Sequence, residues 1–333
     1  MINKKKIHKN TNGRRILLLS ILCLFGFCLV AQVRPQRNAA QPAKSKVYLL
    51  HSDVLKKSKD NSDAQILVGD VSFRHDSIYM YCDSACFYEK TNSLEAFHNV
   101  KFVQGDTLFL YGDYLFYDGN TQLAQVRNNV RMENRTTTLT TDSLNYDRIA
   151  NLGYFFDGGT LMDEENVLTS DWGEYSPATK MSVFNYEVKL VNPQFTLTSD
   201  TLRYNTDTKI ASIVGPSDID SDENHIYSEL GFYYTQQGQA ELLERSVLTN
   251  NGKRMTGDSL FYDRNRGIGE AFRNVELVDT INKNMLTGDY CFYNQLTGYA
   301  FATDRAMATD FSPGDSLFIH ADTLQLYTYH MNT

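Results

Sequence analysis

From Val47 onward, apolar residues come in short runs that Gly, Asn and Asp interrupt at regular intervals. Between Gln104-Gly105-Asp106 and Asp118-Gly119-Asn120 lies one such run, Thr107 to Tyr117, dense in Leu, Phe and Tyr. A second, Thr121 to Met132, follows before Glu133-Asn134-Arg135. Aromatic and β-branched residues in runs of this kind favour strands. The Gly, Asn and Asp at the junctions supply the positive-φ positions that tight hairpins need. No helical period interrupts the pattern, so it predicts an all-β chain of strands about eleven residues long, joined by short turns.

One phrase recurs at the heart of these runs. Thr256-Gly257-Asp258-Ser259-Leu260-Phe261-Tyr262-Asp263 is echoed by Ser199-Asp200-Thr201-Leu202-Arg203-Tyr204, by Thr141-Asp142-Ser143-Leu144-Asn145-Tyr146 and by Gly112-Asp113-Tyr114-Leu115-Phe116-Tyr117. Aligned on the acid, the copies fall at Asp53, Asp83, Asp113, Asp142, Asp171, Asp200, Glu229, Asp258, Asp289 and Asp322. The steps are 30, 30, 29, 29, 29, 29, 29, 31 and 33 residues. A fixed period of this size signals a repeat architecture of about ten two-strand units.

Asp142, Leu144 and Tyr146 share a parity, which predicts a shared strand face, as do Asp258, Leu260 and Tyr262. The second strand of a unit closes on a polar-aliphatic pair such as Asn99-Val100, Asn129-Val130 or Asn274-Val275, often after Ala96, Ala124, Ala211 or Ala271. One unit cannot bury its apolar face alone, so neighbours must stack. About twenty strands at ~4.8 Å each give an elongated body of roughly 95 Å with an apolar seam between two layers. Two turn signals per repeat favour antiparallel strands over the competing geometry, a parallel β-helix.

The N-terminus adds a compartment. Lys4, Lys5, Lys6, Lys9, Arg14 and Arg15 precede the apolar stretch Ile16 to Ala31, the layout of a secretory signal over residues 1–31. Residues 32–46, rich in Pro, Gln, Ala and Lys, read as a flexible leader, and 47–333 as the repeat domain. Losing the signal removes six positive charges, taking the net charge from −8 to −14. So acidic a surface argues against nucleic acid as a partner and against a grip on lipid phosphates. Cys82, Cys86 and Cys291 read as small buried hydrophobes, since Cys82 and Cys86 lie four residues apart on one strand, too far to bridge.

No candidate for catalysis emerges. Recurrent acids, one per repeat, are not a unique constellation; each reads as a strand-bend Asp accepting hydrogen bonds from backbone amides. The histidines are scattered, with no metal-ligand spacing, and neither a nucleophile elbow nor a phosphate loop is present. No cofactor, metal or catalytic residue is assigned.

The Gly/Ser-Asp-x-Leu-x-Tyr phrase followed by Ala and then Asn-Val, clearest in Gly112 to Val130 and Gly257 to Val275, resembles the OstA-like family. That family includes the lipopolysaccharide-transport proteins LptA and LptC and the N-terminal domain of LptD. The resemblance covers Val47 to Tyr327, with departures at Gly173, which takes the Leu position, and at Glu229. It implies an elongated antiparallel β-jelly-roll whose groove holds lipid acyl chains. On that reading Leu115, Tyr117, Leu144, Tyr146, Leu202, Tyr204, Leu260 and Tyr262 line a lipid-binding face. The implied protein is a non-enzymatic periplasmic carrier of lipopolysaccharide, associated with the outer membrane. It would bridge to other jelly-roll proteins, or head-to-tail to its own copies, through end strands near Val47 to Leu50 and Leu324 to Tyr327. Two other readings stand beside it: an outer-membrane β-barrel of porin type, and a β-helix enzyme acting on glycans.

Overall fold

The computed structural model describes residues 45–58, 63–221, 224–312 and 314–327. The expected export signal, and the leader as far as Lys44, lie outside the described residues. Twenty-four strands and no helix make up the described chain.

The first are β1 (Tyr48–His51), β2 (Val54–Lys57), β3 (Gln65–His75), β4 (Ile78–Tyr88), β5 (Ser93–Gln104), β6 (Leu108–Asp118), β7 (Leu123–Asn134) and β8 (Thr137–Asp147). Half-length strands follow: β9 (Leu152–Phe155), β10 (Gly159–Asp163), β11 (Asn166–Ser170) and β12 (Trp172–Tyr175). Then come β13 (Met181–Asn192), β14 (Phe195–Asn205), β15 (Ile210–Ser221) and β16 (Asn224–Tyr234). A second set of half-strands comprises β17 (Gln239–Leu243), β18 (Val247–Asn250), β19 (Lys253–Thr256) and β20 (Ser259–Asp263). The chain closes with β21 (Ile268–Asp279), β22 (Asn284–Asn294), β23 (Tyr299–Asp310) and β24 (Leu317–Tyr327).

Every neighbouring pair is antiparallel, which settles against the parallel β-helix. Among the described residues no pairing joins the first strands to the last, so the sheet is open rather than a closed barrel. Ten of the strands are half-length and pair up end to end, so the count exceeds the twenty expected without adding repeats.

Each full strand bends near its middle. In β5, His98 and Asn99 take positive φ values of 61° and 49°, and in β7 Asn128 and Asn129 take 61° and 52°. Two bulged residues there oppose one on the partner: the register jumps from Phe97↔Tyr114 to Val100↔Gly112, with Asp113 alone between. A bulge of this kind sharpens the bend. Asn is among the few non-glycine residues that enter the left-handed region at low cost. The recurring Asn-Val is therefore the corner of the strand.

The corners fold the sheet into two facing walls. Halves such as 71–75, 100–104 and 108–112 form wall A, and halves such as 84–88, 114–118 and 143–147 form wall B. Their inner faces meet directly. Phe102 of wall A lies 6.1 Å from Tyr117 and 5.9 Å from Tyr146 of wall B, ring to ring, and Phe195 lies 4.5 Å from Tyr233. One continuous core runs from Val47 to Ala306.

Wall B owes its regularity to alternating size. Tyr146 pairs with Ala124 on one side and Gly153 on the other, Tyr175 with Gly153 and Ser182, Tyr204 with Ser182 and Ala211, and Tyr233 with Ala211 and Ala240. Directly opposed residues stand only ~5 Å apart, so a small neighbour on each side gives the ring room to lie over the next strand. Ala124 and Ala211 thus serve as ring seats.

Candidate functional site

The eight residues expected to face lipid sit together on the inner side of wall B. Leu115, Tyr117, Leu144, Tyr146, Leu202 and Tyr204 are wholly buried, and Leu260 and Tyr262 nearly so. The expected open groove is instead a closed seam, because wall A packs its own Phe, Leu and Val onto them. Beside Leu248, Met255, Tyr262 and Tyr293 the residual space is only about 10 Å³. Any chain entering this interior must part the walls.

The repeated acids mark the opposite edge, the outer ridge where strands turn the corner. Asp83, Asp113, Asp142, Asp171 and Asp200 are exposed, as are Asp53 and Asp322, while Asp258 and Asp289 are half-buried. They share sequence parity with the Leu and Tyr that follow but not their face. In β8, Leu139 and Leu144 both point inward although five residues apart, and Asp142 between them points out. The bend takes one step out of the alternation.

The partners also differ from those expected. Side-chain amides sixteen residues ahead occupy the carboxylates: Asn99 Nδ2 donates to Asp83 at 2.8 Å, Asn129 to Asp113 at 2.6 Å and Asn274 to Asp258 at 3.2 Å. At Asp289 the donor is Arg305, through Nε at 3.1 Å. Acid and corner residue thus clip successive rungs together along the ridge.

Opposite the ridge is the mouth, where the hairpin turns of the two walls meet. Here wall B presents its tyrosine hydroxyls, and wall A answers with a different polar residue each time. His75 Nδ1 lies 2.6 Å from Tyr117 Oη, and Tyr146 Oη lies 3.2 Å from Gln104 Oε1 while donating at 2.6 Å to Asn151 Oδ1 in its own wall's turn. Tyr175 Oη donates to Asn134 at 3.1 Å and Tyr204 Oη to Asp163 at 2.8 Å. Burial pushes all four phenols above their ordinary range, so each stays protonated near neutral pH.

Cations on the turns of wall B complete the closure. Arg148 reaches Asp76 at 3.1 Å, and Lys209 Nζ lies 2.8 and 2.7 Å from the two oxygens of Asp163 and 3.2 Å from Glu164. Lys180 bonds Asn134, and Arg264 bonds the carbonyl of Gln194 at 3.2 Å and its side-chain oxygen. At the N-terminal end Ser45 to Val47 cross the mouth: Val47 N donates to Asn92 Oδ1 at 2.8 Å and Asn92 returns a bond to the Ser45 carbonyl. Ser45 and Lys46, placed in the leader by composition, belong to the folded body.

Sequence reasoning passed over these mouth residues. A signal did exist: Arg148, Lys180, Lys209 and Arg264 all fall in wall-B turns, at steps of 32, 29 and 55 residues, near one, one and two repeats. Of the cysteines, Cys82 and Cys291 are buried core residues, and burial pushes their thiols up to about 11 and about 12. Cys86 is half-buried and faces outward rather than into the core. Among the described residues, no group of three or more His, Cys, Asp or Glu side chains is placed to hold a metal ion.

An open antiparallel sheet, bent lengthwise into two walls and zipped along one edge by side chains, defines a two-walled β-repeat protein. The chain belongs to the OstA-like family, whose model, described as OstA-like protein, matches residues 44–200 and 218–310. Among solved structures it is similar to LptH of Pseudomonas aeruginosa, the LptA-homologous periplasmic component of the lipopolysaccharide transport device. That likeness has 17% identity and a TM-score of 0.33 over 35% of this chain and 98% of LptH. No curated protein matches the chain.

Proposed function

We propose that this chain is a non-enzymatic periplasmic protein of lipopolysaccharide transport that takes acyl chains between walls A and B. The observation that carries the reading is the interior itself: one core, dominated by Leu and aromatic side chains on both walls, that runs without a break from Val47 to Ala306. Small buried serines such as Ser182, Ser217 and Ser228 are among its polar members. An acyl chain buried there gains about 0.8 kcal/mol per methylene, so a long chain can offset the contacts it displaces. The bonds described across the lips each involve a side chain and none is a strand pairing, so the lips can part while the sheet stays intact. The tyrosine hydroxyls at the mouth would then meet headgroup or glycan while their rings meet hydrocarbon.

The ends support a bridging role. β24 pairs with β23 on one side only, and its inward-facing Leu317 and Ile319 remain 56% and 50% exposed. At the other end β1 and β2 cover β3 but leave Leu50 and Leu55 half exposed. An edge with unpaired backbone and uncovered apolar residues is a template for strand addition by another jelly-roll protein or a second copy. Such a chain of subunits would link inner and outer membrane. The family and the N-terminal export pattern support a periplasmic setting, and no helix of the described chain is long and apolar enough to cross a membrane.

The test is photocrosslinking in cells from Leu144, Tyr204 and Leu260, with Ser143, Arg203 and Ser259 as outward-facing controls. Lipopolysaccharide adducts from the inner positions alone support the reading. Adducts from both sets alike, or from neither, overturn it.

A further inference from the structure

The mouth carries charge in an arrangement that the overall composition hides. The chain is acidic, with a formal net charge of −8, yet the wall-B turns present Arg148, Lys180, Lys209 and Arg264 in file along the mouth. Facing them on wall A are Asp76, Asp163 and Glu164. Two of the four cations are not neutralised by these acids. Lys180 is held by the amide of Asn134, and Arg264 by the amide oxygen and carbonyl of Gln194. Burial and the nearby Arg135 push the Lys180 ammonium below its ordinary range, outweighing the opposing pull of Asp207. Between the Lys209 and Arg264 closures lies a polar cleft of about 410 Å³, lined by the acids Glu164 and Glu165 and by the neutral Asn166, Asn192, Gln194, Thr235 and Gln236.

Parting the lips separates these groups by wall. Asp76, Asp163 and Glu164 leave with wall A, and the four cations stay with wall B at the rim of the apolar interior. Of the acids in the wall-B turns, Asp147 and Asp263 accept bonds from Ala150 N and Arg266 N of their own turns, and Asp207 is exposed. An amphiphile whose hydrocarbon lies inside the seam holds its headgroup at that rim. Phosphate there meets guanidinium and ammonium groups at partly desolvated positions, where charge-assisted hydrogen bonds are strongest. We propose that Arg148, Lys180, Lys209 and Arg264 form an anion rail that takes the phosphates of an amphiphile whose chains occupy the interior. The rail rests on the acyl-chain reading above, and it would give an acidic protein a local grip on phosphate.

The experiment measures binding of the full chain, without its signal, to lipid A bearing two phosphates and to the same lipid after enzymatic removal of both. Lys180→Gln and Arg264→Gln are the variants of choice, because their present partners are neutral and no buried acid is left unpaired. Lys180→Arg and Arg264→Lys serve as conservative rescues. The wild type is expected to prefer the phosphorylated lipid, with a preference that weakens as salt rises. Each Gln variant should bind the phosphorylated lipid about fivefold more weakly and the dephosphorylated lipid unchanged, with the rescues near wild type. Equal wild-type affinity for the two lipids, or equal losses for both in the variants, overturns the rail and leaves the acyl-chain reading standing. Failure of the wild type to bind either lipid overturns both.

Discussion

Lys209 Nζ lies 2.7 Å from Asp163 Oδ2 across the mouth, with 7% of the lysine side chain and none of the aspartate exposed. Tyr204 Oη also donates to this carboxylate, and Asn166 Nδ2 donates to the tyrosine oxygen at 2.9 Å. The desolvation of two buried charges largely cancels their attraction, so the pair stabilises the closed mouth little although its loss on one side costs much. Lys209→Met alone should lower stability by about 3–5 kcal/mol, because a buried carboxylate loses its counter-charge. The double variant Asp163→Leu/Lys209→Met should return to within about 1–2 kcal/mol of the wild type. Urea midpoints for the three proteins decide this, and a double variant as unstable as the single one would show that the ion pair itself holds the lips.

Gly173 breaks the repeated phrase where Leu stands in the other copies, and the structure supplies the compensation. A Cβ at Gly173 would lie 2.5 Å from Phe155 Cζ and 3.1 Å from Phe184 Cδ1, so two rings occupy the space that Leu fills elsewhere. Restoring the phrase with Gly173→Leu should therefore destabilise by about 1–3 kcal/mol. In a Phe155→Ala background, which opens a cavity at the same spot, Gly173→Leu should instead raise the urea midpoint. The same sign in both backgrounds would rule out the exchange of volume between these positions.

Asn129 stands at a corner with φ of 52° and clips Asp113 at 2.6 Å, yet both side chains are exposed. Backbone conformation should then outweigh the hydrogen bond. Asn129→Gly keeps access to the left-handed region and should cost under about 1 kcal/mol, whereas Asn129→Ala should cost roughly 1–2 kcal/mol and Asn129→Val more. Thermal midpoints should rank Asn, Gly, Ala, Val. Alanine at or above glycine would mean that the clip, and not the corner geometry, is what the position requires.

These cases show which features local residues reveal. Period, turn positions and the inward Leu and Tyr follow from composition within one repeat, so Leu115, Tyr117, Leu202 and Tyr204 could be assigned to one face before any coordinates. The orientation of Asp142 could not, because counting in twos runs straight through a bend that removes one step. The half-strands around Asp171 escaped notice because Gly158 and Gly159 look like ordinary turn glycines, although Gly158, at φ of 80°, donates across the break to Asp171 at 2.9 Å. The mouth was the least legible part. Its pairs lie 41 or 42 residues apart on different walls, and the residue answering each tyrosine is His75, Gln104, Asn134 or Asp163 in turn. No recurring letter announces a contact that depends on how two walls close.

His75 gives the mouth a pH dependence whose sign can be worked out. Burial holds its imidazole below the ordinary histidine range, outweighing the opposing pull of the neighbouring Asp76 carboxylate and the Ser45 backbone. The ring is therefore neutral in the folded protein near pH 7, with Nδ1 2.6 Å from the Tyr117 hydroxyl. In the unfolded chain it titrates at its ordinary value near 6.5. Above that pH neither state binds the proton and His75 contributes no slope. Below it the unfolded state takes up a proton that the folded state refuses, so stability falls with pH until the depressed folded value is passed. The slope is at most about 1.4 kcal/mol per pH unit for one proton. Urea midpoints between pH 7.5 and 5.0, above the range where Asp76 and Asp279 protonate, should decline in the wild type and decline less in His75→Gln. Parallel curves for the two proteins, or a wild type that gains stability on acidification, would place the titration elsewhere.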